Sequence, residues 1–309
     1  MPDDVVVAAQ KVCDEVVVRS ETLPLTAAEL RSALRDFDIV LPTLGDQFSA
    51  DIFADVPNAR CKLLANFGVG YNHIDVDAAK AAGIAVTNTP GAVTDATADI
   101  AVMLMLMSAR RAGEGERLAR SGDWAGWHPT QMLGLHMSGK RIGIVGMGRI
   151  GQAIARRCHF GFGMDVQYVN RSEKSLDFPA TPVTALTSLA GQVDFLVAAV
   201  PGGAETRHLI SKDIIGAMQA HAHFINISRG DVVDEGALIT ALSTNKIGGA
   251  GLDVYEREPL VPDALRQLDN VTLLPHLGTN ALEVRTAMGL MAVDNVAAFV
   301  AQEQLPNAV

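Results

Sequence analysis

The chain has 309 residues, 49% of them hydrophobic and 19% charged, a balance that excludes a disordered chain and leaves room for two compact units. Its net charge of −10, with no run of lysines and arginines, argues against a nucleic-acid partner, and its longest markedly apolar stretch, Ile100–Met107, is far too short to cross a membrane. The three cysteines, Cys13, Cys61 and Cys158, are widely spaced with no CxxC pair, and the N-terminus is acidic, so a disulfide framework, a metal site and a secretory signal are not expected and a cytoplasmic location fits best.

The first residues, Val5–Val12, are expected to be helical. From there to about Ala92, β-branched runs alternate with Ala-rich amphipathic stretches. Val16–Arg19, Ile39–Pro42, Leu63–Asn66 and Ile84–Thr87 read as strands, and Thr26–Leu34, Ala50–Val56 and Val76–Ala82 as helices. Thr26, with Glu29 three residues on, has the pattern of a capping box. Thr94–Arg111 follows as one long helix with a Met- and Leu-rich face expected to pack on a partner surface. A second alternation starts at Lys140, with strands at Arg141–Val145, Asp165–Val169, Phe195–Val200, His223–Ile227 and Val271–Leu274. Alternation of this kind predicts parallel α/β sheets.

The strand at Ile142–Val145 runs into Gly146-Met147-Gly148-Arg149-Ile150-Gly151 and then into a helix, the order a dinucleotide site requires. Gly146 permits the tight turn, Gly148 lets backbone approach a pyrophosphate, and Gly151 lets helix and strand pack closely. The helix N-terminus then favours the anion. At the end of the next strand, where an NAD site carries Asp or Glu, stand Asn170, Arg171 and Ser172. An Arg without a repelling carboxylate suits a 2′-phosphate, so NADP is expected over NAD, with NAD still possible.

Three later segments end strands or begin loops: Ile225–Gly230, Gly251–Pro259 and Leu274–Gly278. In an open α/β sheet such segments meet outside the carboxyl ends of the strands, and here they offer a cation, a carboxylate and an imidazole.

These motifs, with Asn66–Asp75, Thr89–Gly91 and Thr94–Asp99, resemble the D-isomer-specific 2-hydroxyacid dehydrogenase family, and within it the glyoxylate/hydroxypyruvate reductase branch, over nearly the whole chain. The resemblance implies two doubly wound parallel-sheet domains, a Rossmann cofactor domain inserted in a flavodoxin-like substrate domain. It places the substrate domain at 1–97 plus 283–309 and the NAD(P)-binding domain at 98–282, with the final helix, Ala281–Ala301, returning to the first. It further implies that Arg229 grips the substrate carboxylate and keto oxygen, that His276 donates a proton during reduction, and that Glu258 orients His276 and favours the charged ring. Val69 and Gly70 would offer amides to the substrate, and Trp127 would limit substrate size from a neighbouring subunit, making a homodimer. Thr97, Arg149, Ile150, Val200, Pro201, Ile227, Asp253 and Gly278 would join the glycines and Asn170–Ser172 around the cofactor, Asp253 at the nicotinamide end.

The segment Pro201–Thr206 departs from the family's usual Pro-Leu-Thr run, and the family's opening strand has no counterpart ahead of Pro2–Val5. The expected activity is NADPH-preferring reduction of glyoxylate or hydroxypyruvate. The alternatives are an NAD-dependent enzyme for a larger 2-hydroxy acid and a non-enzymatic cofactor sensor on the same fold.

Overall fold

The computed structural model describes residues 1–309 as two compact units, one built from Met1–Val93 and Thr279–Val309 and the other from Thr94–Gly278. The chain thus crosses between units at 93/94 and 278/279, where the sequence reading put 97/98 and 282/283. No helix is long and apolar enough to cross a membrane.

The first unit contains helices α1 (Asp3–Gln10), α2 (Ala27–Asp36), α3 (Ala50–Ala54), α4 (Val76–Ala81) and, from the chain's end, α12 (Leu282–Val300). Its strands β1 (Ile39–Val40), β2 (Leu63–Ala65) and β3 (Ala85–Thr87) form a parallel sheet in the order β1-β2-β3, with Ile39 opposite Leu63 and Leu63 opposite Ala85. Alternation decides the layers: Leu64 and Val86 face Leu30, Leu34, Phe48 and Ile52, whereas Leu63 and Ala65 pack with Val296 of α12. Thr26 caps α2 with the reciprocal Thr26–Glu29 bonds of a capping box. Gly289 lets α12 approach α1, because a Cβ there would lie 2.4 Å from a methyl of Val5.

Val16–Arg19 is not a strand. Val17 and Val18 are exposed and no neighbouring chain pairs with them, so their β-branched preference has no pleated surface to fit.

The second unit carries a seven-stranded parallel sheet. Its strands are β4 (Arg141–Val145), β5 (Asp165–Val169), β6 (Thr181–Pro182), β7 (Phe195–Ala198), β8 (His223–Asn226), β9 (Gly249–Leu252) and β10 (Val271–Leu273), in the order β10-β9-β8-β7-β4-β5-β6. The order reverses between β7 and β4, the switch point of a doubly wound sheet, where ligands bind beyond the strands' carboxyl ends. Helices α5 (Thr94–Ala109) and α7 (Arg149–Phe162) cover one face, burying Leu104, Met105, Ile154 and Cys158 on Ile142, Ile144 and Ile225. Helices α8 (Leu186–Ala190), α9 (Lys212–Ala217) and α10 (Glu235–Ser243) cover the other, around Leu196, Phe224 and Leu252. Two short peripheral helices, α6 (Ala112–Ser121) and α11 (Asp263–Arg266), complete the unit.

β9 escaped the sequence reading for a reason visible in its packing. Its Gly-Ala-Gly-Leu run lies so close to α5 that a Cβ on Gly251 would come within 2.9 Å of Leu104, so small residues replace the β-branched ones that mark a strand.

Candidate active site

The turn after β4 has the shape a pyrophosphate needs. Gly146 has φ +96, and a Cβ there would meet the Ala199 carbonyl at 2.7 Å; a Cβ on Gly151 would strike the Gly146 carbonyl at 2.1 Å. Gly148, by contrast, has open space where a Cβ would be, and no side chain caps α7, so the first-turn amides after Gly148, those of Arg149 and Ile150, are left for an anion. At the end of β5, Asn170 accepts from the Met147 amide at 3.1 Å and donates to the Ser172 carbonyl at 2.7 Å, which fixes the two loops together. Arg171 lies beside them, 89% exposed and 3.3 Å from Glu205. Val200 and Pro201 follow β7, and the Ser228 hydroxyl donates to the Val200 carbonyl, bringing the β7 and β8 ends together next to Ile227. These residues fit a dinucleotide cofactor.

Beyond β8, Asn226 is buried and works as a staple: its carbonyl accepts from the Ser228 amide at 3.0 Å and its amide donates to the Arg229 carbonyl at 3.0 Å. Arg229 itself is largely buried, donates to the Ser228 carbonyl at 2.7 Å and has no carboxylate within ion-pair distance. His276 Nδ1 lies 2.7 Å from Glu258 Oε2, while Glu258 Oε1 accepts from the Tyr255 amide at 3.0 Å. His276 has φ +54, a left-handed conformation that a non-glycine residue holds only when its surroundings dictate it. Asp253 supplies that support: its carbonyl accepts from the His276 amide at 2.9 Å and its carboxylate from Leu277 and Gly278 at 2.6 and 2.8 Å. Thr97 donates to the Gly278 carbonyl at 3.2 Å, tying α5 to the same loop.

The structure therefore brings Arg229, Glu258, His276, Asp253, Thr97 and Gly278 into one region of the second unit. Trp127 stands apart, 79% exposed in the loop after α6. In the first unit, Asn66 donates to the Gly68 and Gly70 carbonyls at 2.9 and 3.0 Å and Asn88 to the Val69 carbonyl at 2.9 Å. That bracing turns the carbonyls inward, and the Val69 and Gly70 amides donate to no group of the chain.

Comparison with known proteins decides the family. Residues 102–278 match the family described as D-isomer specific 2-hydroxyacid dehydrogenase, NAD binding domain. A glyoxylate reductase from Pyrococcus horikoshii is 40% identical over 304 residues, covering 96% of this chain and 89% of the relative. The chain belongs to the D-isomer-specific 2-hydroxyacid dehydrogenase family. Among solved structures, the TT0316 protein from Thermus thermophilus is 37% identical with a TM-score of 0.91, covering 100% of this chain and 97% of that one. An NADPH-dependent glyoxylate/hydroxypyruvate reductase from Sinorhizobium meliloti, in complex with NADP and malonate, is also 37% identical, with a TM-score of 0.83 over 92% of this chain and 87% of that one.

In this 2-hydroxyacid dehydrogenase, an NAD(P)-dependent oxidoreductase, two nearby carboxylates are pushed in opposite directions. Burial pushes the Glu258 carboxyl up, but the hydrogen bond and charge of His276, the Tyr255 amide and Arg229 outweigh it and hold Glu258 below the usual range. Burial wins at Asp253, which sits above the usual range despite its two amide donors. Burial also lowers the pKa of Arg229, with Glu258 and Asp231 opposing it, which marks a cation short of partners. Sequence reasoning missed Asn226 and Tyr255 in the dehydrogenase. The Asn-x-Ser spacing is an Asx-turn signal that could have found the first; nothing in Asp253-Val254-Tyr255-Glu256 tells that the hydroxyl of the second reaches a distant carbonyl.

Proposed function

We propose that this dehydrogenase reduces small 2-keto acids, glyoxylate and hydroxypyruvate, to 2-hydroxy acids, with NADPH preferred and His276 as the proton donor. The observation that carries the reading is Arg229, a largely buried guanidinium with one hydrogen bond and no ion pair, next to a His–Glu pair on a nucleotide-binding sheet. A planar fork of donors matches the carboxylate and keto oxygen of a 2-keto acid. A nicotinamide cofactor, held by the Gly146–Gly151 turn and Asn170–Ser172, would supply the hydride. His276 delivers its proton to the keto oxygen, and Glu258 holds the ring in register and stabilises its charge. Asp253 and Thr97 act by fixing the loop of His276 and Gly278.

The absence of a carboxylate at the end of β5 supports NADPH, as does the NADPH dependence of the Sinorhizobium meliloti relative. NADH is the second reading, favoured by the pairing of Arg171 with Glu205. The enzyme works as a homodimer in the cytoplasm. Its three free thiols fit a reducing compartment, and exposed Trp127, together with a groove of about 580 Å³ lined by Met103, Leu106, Met107 and Phe162, supplies apolar surface for a second copy.

Following nicotinamide absorbance with glyoxylate, hydroxypyruvate, pyruvate and a bulky 2-keto acid tests the reading. Rapid NADPH-dependent turnover of the first two is expected. Turnover of only the bulky acid, or only with NADH, would overturn the specificity, and tight cofactor binding without turnover would point to a sensing protein.

A further inference from the structure

Tyr255 is the best-connected buried polar side chain near the site that the proposed chemistry leaves without a task. It is 6% exposed, in the loop that follows β9, and its backbone amide and its hydroxyl point to different catalytic segments. The amide donates to Glu258 Oε1 at 3.0 Å. The phenolic oxygen donates to the Leu274 carbonyl at 2.9 Å, with the Leu252 carbonyl at 3.4 Å. Leu274 is two residues before His276, and Pro275 between them offers no N–H to continue the ladder. The backbone of Tyr255 also seats the third group: a Cβ on Gly230 would lie 1.8 Å from the Tyr255 carbonyl carbon, so the residue after Arg229 rests directly on this peptide.

We propose that Tyr255 is a positioning residue, whose hydroxyl locks the strand end bearing His276 to the turn bearing Glu258. This rests on His276 being the proton donor. The left-handed backbone of His276 is disfavoured on its own and must be held from both sides. Asp253 holds the downstream side through the amides of residues 276–278, and Tyr255 holds the upstream side through Leu274. Phenylalanine would fill the same volume, so packing alone does not call for the hydroxyl. A buried Tyr hydroxyl is retained where it has a partner, and burial, with the charges of Asp253 and Glu258, keeps this one protonated and able to donate. The consequence is geometric: with the hydroxyl gone, the imidazole drifts from Glu258 and from the oxygen it must protonate.

Tyr255→Phe tests this, since it removes one atom and keeps the ring. With 15N-histidine protein, the Nδ1–H proton shared with Glu258 is observed directly by its downfield resonance, identified through its loss in His276→Gln. In Tyr255→Phe this resonance is expected to broaden and exchange faster with water. The kcat for the keto acid should fall by about tenfold, while KM for both substrates stays within about twofold, as misplacement of one group by a fraction of an ångström allows. An unchanged resonance together with unchanged kcat in the folded variant would overturn the proposal, as would a loss confined to cofactor KM. Tyr255→Leu, with ring and hydroxyl both removed, should show the same loss of resonance if it folds; a normal resonance there also counts against the hydroxyl. If wild-type protein turns over no 2-keto acid, the proposed activity fails, and the resonance comparison still decides whether Tyr255 positions His276.

Discussion

Arg171 and Glu205 face each other at 3.3 Å, and both are more than four-fifths exposed, at 89% and 85%. An exposed pair of this kind contributes at most about 1 kcal/mol, yet a carboxylate there competes with a 2′-phosphate for the same guanidinium. Glu205→Gln is therefore expected to lower KM for NADPH about two- to fivefold, the factor that about 1 kcal/mol allows, with little change for NADH. Steady-state kinetics with both cofactors checks it, and an unchanged NADPH value would mean that Arg171 does not meet the phosphate. Glu258 has the opposite relation to its partner. Because it is held below the usual carboxylate range, it stays ionised at neutral pH, and its support for His276 is lost only as pH falls through that lowered value. Glu258→Gln should reduce kcat by about a hundredfold, within the usual reach of acid–base catalysis, and weaken the NADPH affinity little; cofactor titration by fluorescence separates the two. Residues of this sort were legible because each sits in a short motif with a chemical demand. Tyr255 was not, since its hydroxyl works through the Leu274 carbonyl, which only the fold brings near; Asn226, whose bonds reach only two and three residues along the chain, carried the local signal of an Asx turn.

At the scale of elements, the strand–glycine turn–helix unit could be read in full, because each glycine answers a steric demand. Gly151 and Gly148 separate those demands. A methyl on Gly151 would strike the Gly146 carbonyl at 2.1 Å, so Gly151→Ala must shift α7 against β4. Gly148 is at φ −77 with open space around its would-be Cβ, so Gly148→Ala folds without strain and puts a methyl where a pyrophosphate has to approach. Thermal unfolding and NADPH titration distinguish them. Gly151→Ala should lose both Tm and cofactor binding, whereas Gly148→Ala should keep Tm and weaken binding about tenfold or more, as loss of close backbone contact implies. A Gly148→Ala protein with normal affinity would place the cofactor elsewhere. Strands were less legible than this turn. Val16–Arg19 has the residues of a strand but no partner, and β9 has a partner on each side but the residues of a close-packed helix contact. Pattern reports what a residue prefers; pairing is settled by neighbours distant in sequence.

For the molecule as a whole, acid tolerance is set away from the site, at the opposite ends of the same strands. His223 opens β8 with 7% exposure, 2.8 Å from the Ser108 hydroxyl of α5 and stacked on Phe195. Burial, reinforced by the charge of His221, lowers its pKa from 6.5 to about 4. The neutral ring is thus the folded form, and the unfolded chain takes up a proton first as pH drops. Above pH 6.5 neither state is protonated and His223 costs nothing; from there down to about pH 4 the folded state loses stability progressively, by about 3 kcal/mol in all. Asp194 acts in a different window. Burial raises its pKa, but the Arg141 amide and His221 bring it below the usual 3.8, so its contribution is present above that value and disappears only in stronger acid. His223→Gln keeps a polar side chain near Ser108 without the titration. Urea unfolding at a series of pH values should show wild-type stability falling between pH 6.5 and 4, and the variant, less stable at neutral pH, with a flatter slope over that interval. Parallel slopes would assign the acid sensitivity to other groups, and a loss that begins only below pH 4 would assign it to carboxylates such as Asp194.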